Sequence, residues 1–172
     1  RNIVRLDDVC SYCLTEPGSG SDAAALKTKA TITNEGYSLN GSKSFISGGG
    51  FSDIYVVLCR TGDQTPNGIS MLLVEDGQAG LSFGKKEQKM GWKAQPTAIV
   101  QFDNCSVSSE NLVGEEGSGF KYAMEGLDGG RLNIAAASLG GAQKAYEIAK
   151  AYSKERSAFG KPISSFQSIE FK

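Results

Sequence analysis

The stretch with the greatest density of chemically useful side chains runs from Tyr12 to Asp22 and reads Y-C-L-T-E-P-G-S-G-S-D. Gly18 and Gly20 allow tight turning and close approach of the backbone to a ligand. With the hydroxyls of Thr15, Ser19 and Ser21 beside successive backbone N–H groups, such a segment can form an anion-binding concavity that cradles phosphates. No Gly-Lys-Ser/Thr follows it and it does not read G-x-G-x-x-G, so it is neither a Walker loop nor a dinucleotide fingerprint. A plain Gly/Ser-rich surface loop is the simpler alternative. Against that alternative, Thr15, Glu16 and Asp22 punctuate the run as no flexible linker requires.

The cysteines offer a second chemistry. Cys10 and Cys13 are spaced C-x-x-C, which suits half a zinc site or a redox pair. Cys59 and Cys105 are single and distant, and the chain contains no histidine. Cys13 leads into Thr-Glu-Pro-Gly, not into a helix whose N-terminus would lower the thiol pKa. The reading is therefore free, buried thiols of a reducing compartment, with no metal site.

The elements that must position these residues fall into two regimes. Lys29–Thr33 and Tyr37–Leu39 alternate around Asn34-Glu35-Gly36 as a hairpin. Asn40-Gly41 reads as a further turn, and Lys43–Ser47 as strand up to the Gly48-Gly49-Gly50 break. Ile54–Cys59 is a continuous β-prone run, the mark of a strand buried on both faces. Ile69–Val74, Leu81–Phe83 and Thr97–Phe102 complete the set, the last ending at Asp103-Asn104. Six or seven short strands between Ala30 and about Val113 predict a small antiparallel barrel or sandwich.

Gly114-Glu115-Glu116-Gly117-Ser118-Gly119 then breaks the composition. A short helix over Phe120–Leu127 follows. Apolar or small residues at Leu132, Ala135, Ala136, Leu139, Ala142, Tyr146, Ala149 and Tyr152 next predict one helical face reaching about Arg156. Gly140-Gly141 inside it suggests close approach of another helix. Ser157–Pro162 breaks the helix, and Ser164-Ser165-x-Gln167 offers a cap for the next. Residues 1–9 read as the tail of a preceding helical domain, 10–114 as a β domain and 115–172 as the incomplete start of a helical one. The chain thus reads as a fragment of α+β class that begins and stops inside a larger protein.

Composition narrows the partners. Hydrophobic content of 40% with 22% charged residues excludes disordered and collagen-like classes. A net charge of −1 gives no electrostatic footprint for nucleic acid or an anionic membrane. No apolar run approaches the roughly 20 residues that span a bilayer. The N-terminus, Arg1-Asn2-Ile3-Val4-Arg5, has no signal or transit character.

Cys13-Leu14-Thr15-Glu16 followed by Gly18, Ser21 and Asp22 resembles the first signature of the acyl-CoA dehydrogenase family. Three further stretches recur at that family's spacing: Phe45-Ile46-Ser47-Gly48, Gly126-Leu127-Asp128-Gly129-Gly130-Arg131, and Arg156-x-x-Phe159-Gly160-x-Pro162. The resemblance runs from about Cys10 to the end and is strongest toward the short, branched-chain members. It implies the middle β-barrel domain and first C-terminal helices of an FAD enzyme. That enzyme would dehydrogenate an acyl-CoA at its α,β-bond and pass electrons to electron-transferring flavoprotein. It would be a homotetramer, in the mitochondrial matrix if eukaryotic and otherwise in the cytoplasm.

Residue by residue, the resemblance places Tyr12, Cys13, Leu14, Thr15, Gly18, Ser19, Gly20 and Ser21 along the flavin, with Thr15 on the ring edge and Ser21 also facing the acyl-CoA. Phe45, Ile46 and Ser47 match the flavin-facing strand, Phe45 standing where most relatives carry Trp. Asp128, Gly129, Gly130 and Arg131 match the substrate segment. Gly130 occupies the position at which a minority of the family carries its catalytic Glu. Glycine cannot take a proton, so the base Glu is expected beyond Lys172 and this chain alone is expected to be inactive. Arg156, Phe159, Phe166 and Gln167 match the part that meets the FAD phosphates and adenine. An acyl-CoA oxidase that hands electrons to oxygen, and a non-catalytic binding or assembly fragment, remain alternatives.

Overall fold

The computed structural model describes residue 5 and residues 7–172; the expectation of a helical tail over 1–9 falls largely outside them. The chain divides into two compact units, Arg1–Met124 and Glu125–Lys172.

The first unit is a curled seven-stranded sheet: β1 (Cys10–Cys13), β2 (Lys29–Thr33), β3 (Gly36–Ser47), β4 (Ile54–Arg60), β5 (Ile69–Glu75), β6 (Leu81–Phe83) and β7 (Thr97–Ser108). The spatial order is β1-β4-β2-β3-β7-β6, with β5 on the other edge of β4. Most pairs are antiparallel, but β1 and β2 both join β4 in parallel, β1 along Ile54–Val57 and β2 at Arg60. The continuous apolar run of β4 is explained by this placement: Tyr55, Val57, Leu58 and Cys59 are all fully buried. Tyr55, Val57 and Cys59 pack with Leu39, Leu72, Val74, Val100 and Phe102 in one core. Burying each such apolar side chain is worth about 1.5–3 kcal/mol.

Two strands outrun their sequence limits. Asn40-Gly41 is not a turn; β3 runs straight through it, and the register against β7 slips between Leu39 and Gly41 as a bulge. The extra residue lies on β7, where Asp103 and Asn104 stand opposite Asn40, and Gly41 beside it takes φ +150°. Likewise β7 does not stop at Asp103-Asn104. Asn104 sits at φ +48°, its N–H donating to Asn40 Oδ1 at 2.8 Å, and the strand resumes to Ser108. Asn is among the few non-glycine residues that tolerate this region.

The two predicted helices are one. Helix α1 (Gly119–Glu155) spans 37 residues, about 55 Å at 1.5 Å per residue. It passes through Asp128-Gly129-Gly130 without a break, since a helical glycine costs only about 1 kcal/mol relative to alanine. Its first turn packs on the sheet, where Gly119 and Ala123 are buried; a Cβ on Gly119 would lie 2.4 Å from the Ser70 carbonyl carbon.

In the second unit, the predicted break after α1 is a tight hairpin of β8 (Ser157–Ala158) and β9 (Lys161–Pro162). Phe159 (φ +52°) and Gly160 (φ +77°) form its tip, the pair of positive φ angles that a two-residue type I′ hairpin demands. Helix α2 (Gln167–Glu170) follows, with Phe166 at its N-cap and no side-chain cap, so Ser164 and Ser165 do not serve that role.

Candidate functional site

β1 and β2 dock on the same edge of β4, Cys13 beside Val57 and Lys29 beside Arg60. Residues 14–28 therefore leave a sheet edge and return to it a few residues further along β4. Inside this loop, Glu16 and Ser19 pair backbone to backbone (Glu16 N to Ser19 O 2.9 Å, Ser19 N to Glu16 O 3.1 Å) around Pro17-Gly18. Proline is pre-set for the first corner of such a turn. Ser19 is buried and its hydroxyl donates to the Asp22 carbonyl at 2.7 Å, which shapes the next bend.

The loop and the strand β1 before it are each tied to β3. Ser44 N donates to Thr15 O at 2.8 Å, and Ser11 Oγ donates to Ser47 O at 2.7 Å while lying 2.8 Å from Ser52 Oγ. Between these ties the β3–β7 register slips again, from Lys43↔Val100 to Ile46↔Ala98. Phe45 sits in that slip at φ +58° with its ring 68% exposed. A non-glycine residue in this conformation is uncommon and signals a constraint. The structure thus brings the Tyr12–Ser21 and Phe45–Ser47 segments together.

Their side chains divide cleanly. Cys13, Leu14 and Ile46 are buried. Tyr12, Ser21, Phe45 and Ser47 are exposed and Thr15 is half-buried. Among the described residues, the hydroxyls of Thr15, Ser21 and Ser47 donate to and accept from nothing. An outward aromatic face flanked by unpaired hydroxyls suits a flat heteroaromatic ring with polar edges, so these residues fit a flavin.

Beneath the loop lies a feature that sequence reasoning missed. Lys43 Nζ, wholly buried, is 2.8 Å from Glu16 Oε1 and 3.1 Å from Leu14 O. Glu16 also accepts from Lys27 N at 2.6 Å and Thr28 N at 2.9 Å. Burial pushes the Glu16 carboxyl up, but the Lys43 charge and these hydrogen bonds outweigh it and hold it below the ordinary 4.5. Burial pulls Lys43 below 10.5 against the pull of Glu16. The one signal available was a lysine at an inward position of an otherwise apolar strand face.

A lowered carboxyl pKa contributes stability that is present above the unfolded value and lost as pH falls through the folded one. Urea midpoints of the intact protein are expected to hold down to about pH 4.5 and then drop. Glu16→Gln is expected to flatten that acid limb; an unchanged limb would assign it to other carboxylates.

The cysteines do not form a pair. The alternation of β1 sends Cys10 outward and Cys13 inward, so the two thiols cannot converge on one ligand. All four are free, and burial pushes the Cys13 and Cys59 thiols up to about 12, so they stay protonated and unreactive.

In the second unit, the hairpin brings Phe159 and Phe166 together beside Arg156, and Gln167 opens the helix that follows. Ile163 N donates to Arg156 O at 2.8 Å, the Phe159 and Phe166 rings meet edge-to-face at 6.1 Å, and Lys161 Nζ stands 4.5 Å over the Phe166 ring. Arg156 is exposed just past the end of α1. On the same helix, Arg131 pairs with Asp128 at 2.5 Å, both side chains largely in solvent. A groove of about 530 Å³ in the first unit lies between Phe51 and Lys86–Pro96, and none of the candidate site residues lines it.

A curled seven-stranded β unit with the 14–28 loop on the edge of β4 is followed by one long helix. Residues 11–105 match the family profile described as acyl-CoA dehydrogenase, middle domain, and 117–172 that of the C-terminal domain. The chain belongs to the acyl-CoA dehydrogenase family. It is 55% identical to a bovine (Bos taurus) protein named isobutyryl-CoA dehydrogenase, mitochondrial, over 96% of this chain and 40% of that one. A solved structure described as the electron transferring flavoprotein of Acidaminococcus fermentans superposes with TM-score 0.94 at 47% identity, over 99% of this chain and 45% of that one. Another, described as PigA with FAD and proline, gives TM-score 0.94 at 28% identity with the same coverage. The chain spans about two fifths of the length of the curated relative it matches.

Proposed function

We propose that this chain works within an FAD-dependent dehydrogenase that converts a short, branched acyl-CoA to its enoyl-CoA and passes the electrons to electron-transferring flavoprotein. Residues 10–114 form its middle domain, and 115–172 begin its C-terminal helical domain. The observation that carries this reading is the joined surface of the Tyr12–Ser21 loop and the Phe45 bulge, in a chain of this family. The name of the bovine relative supports the branched substrate and a mitochondrial setting. The FAD bound in the PigA structure supports the cofactor.

In this reading Thr15, Phe45 and Ser47, with the backbone of Cys13, Leu14 and Ile46, would hold the flavin ring. Tyr12, Gly18, Ser19 and Gly20 shape the rest of the cradle. Ser21 faces both flavin and thioester, and Asp128, Gly129, Gly130 and Arg131 meet the CoA ester. Arg156, whose planar fork suits a pyrophosphate, is joined by Phe159, Phe166 and Gln167 on the dinucleotide. A carboxylate base outside residues 1–172 takes the α-proton; the freed electron pair forms the C=C bond as hydride departs from the β-carbon. FAD supplies the acceptor for that hydride. The exposed Leu132, Leu139 and Ile148 of α1 support burial of this helix in a larger bundle and a homotetramer.

Anaerobic isobutyryl-CoA added to the purified full-length protein is expected to bleach its visible flavin bands. Bleaching by a different acyl-CoA alone would move the substrate; peroxide production in air would favour an oxidase; a colourless protein would end the reading.

Phe45 offers a sharper check. Because its ring is mostly exposed and its backbone is in the left-handed region, Phe45→Gly is expected to raise apoprotein stability by about 1 kcal/mol. The same change is expected to weaken FAD binding roughly tenfold through the lost ring contact. Lower stability with unchanged FAD affinity would make Phe45 an ordinary packing aromatic.

A further inference from the structure

We propose that Glu16 and Lys43 are positioning residues: their buried pair clamps the neck of the 14–28 loop so that its ligand-facing edge is formed before any cofactor arrives. The role assigned to that edge rests on the flavin reading above; the clamp itself does not.

The geometry carries the argument. Glu16 stands near the point where the loop leaves the sheet edge, and its carboxylate accepts from Lys27 N and Thr28 N, where the loop returns. One side chain thus joins both ends of the excursion. Lys43 closes the ring from below, holding Glu16 Oε1 and the Leu14 carbonyl together. Lys43 is also the last residue of β3 in register with β7 before the slip that turns Phe45 outward. The next residue, Ser44, donates to Thr15 O. The pair therefore fixes Thr15 and Phe45, from two different segments, relative to one another.

Energetics give a reason to look beyond stability. Two charges removed from water cost as much as their attraction returns, so well-packed apolar residues of similar size would hold the sheet equally well. An apolar substitute could not, however, accept two backbone N–H groups and hold a carbonyl in one place. What the pair adds is a single loop conformation, the use for which buried ion pairs are best suited.

The test uses the full-length protein, with Lys43→Met, Lys43→Arg and the double variant Glu16→Gln/Lys43→Met. The first readout needs no cofactor. In the parent apoprotein the Lys27 and Thr28 amides are expected to exchange with solvent as slowly as core strand amides, and trypsin to spare the Lys27–Thr28 bond. The double variant is expected to keep its thermal midpoint within about 3 °C of the parent while cleavage after Lys27 accelerates roughly tenfold or more. Lys43→Arg, which retains the charge, is expected to restore most of the protection. Lys27 and Thr28 amides that exchange as fast as exposed loop amides in the parent would overturn the proposal, even if the double variant failed to fold.

The second readout is FAD affinity, expected to fall roughly tenfold in the double variant at unchanged stability. Parent-like affinity together with parent-like cleavage would reduce the pair to a structural ion pair. If the parent itself takes up no FAD, the flavin reading fails, while exchange and cleavage still decide the clamp.

Discussion

Replacing Arg60 with Met is expected to destabilise the β unit by roughly 3–4 kcal/mol, among the largest effects of any single change in the chain. Arg60 is the last residue of β4 and is 4% exposed, yet no carboxylate among the described residues contacts its guanidinium. Instead it donates to backbone carbonyls: Ala24 O at 2.7 Å, Leu26 O at 3.3 Å, Thr65 O at 3.0 Å, and Asp63 O. These acceptors belong to two excursions, the far half of the 14–28 loop and the 61–68 connection to β5. Met fills much the same volume, so little cavity opens; the loss comes from carbonyls stripped of their donor, each worth about 1–3 kcal/mol when buried. Partial exposure of Asp63 and Thr65 lets water replace some of them, which sets the expected loss below the simple sum. Lys in place of Arg reaches only part of the set as a compact ammonium and is expected to recover about half. Urea unfolding of the intact protein, followed by a probe in the β unit, measures both. Variants within ~0.5 kcal/mol of the parent would mean that solvent already serves these carbonyls.

Arg60 also shows where sequence reading stops. The run Ile54–Cys59 announced a strand buried on both faces, and β4 is that strand; alternation and length were enough because hydrophobic periodicity is a local property. The same held for β2, β5, β6 and the start of α1. What the sequence did not disclose was pairing at a distance. Nothing local to Lys43 marks it as the partner of Glu16, 27 residues earlier, and nothing local to Arg60 marks Ala24 or Leu26 as its acceptors. Strand ends were misplaced for a related reason. Asn40-Gly41 and Asp103-Asn104 carry turn chemistry, but β3 and β7 use it to absorb a register slip between two long paired strands. The Thr15 and Phe45–Ser47 segments were singled out only through resemblance, and the structure brings them side by side; the Glu16–Lys43 pair beneath them was not legible at all.

The glycines make the contrast quantitative. Sequence reading singled out Gly18 and Gly20 as the backbone positions that shape the loop. Neither has a positive φ, and a Cβ added to either meets nothing within 4 Å. Gly18→Ala and Gly20→Ala are therefore expected to change stability by no more than ~0.5 kcal/mol. Gly41, on β3 outside the loop, is the demanding one. It holds φ +150°, and a Cβ there would stand 2.5 Å from Thr28 Oγ1, 2.7 Å from Thr28 Cα and 2.8 Å from Thr28 Cβ. Thr28 is buried, and it is fixed from two sides: its N–H donates to Glu16 and its carbonyl accepts from Arg60 N at 2.7 Å. It cannot yield without loosening the clamp. Gly41→Ala is expected to cost about 3 kcal/mol, combining left-handed strain with overpacking. It is also expected to speed trypsin cleavage after Lys27 in the folded apoprotein, the same outcome expected on loss of the Glu16–Lys43 pair. Equal, small effects for all three alanine variants in urea unfolding would show that β3 can move away from Thr28 at little cost, and that the loop neck does not depend on the close approach at Gly41.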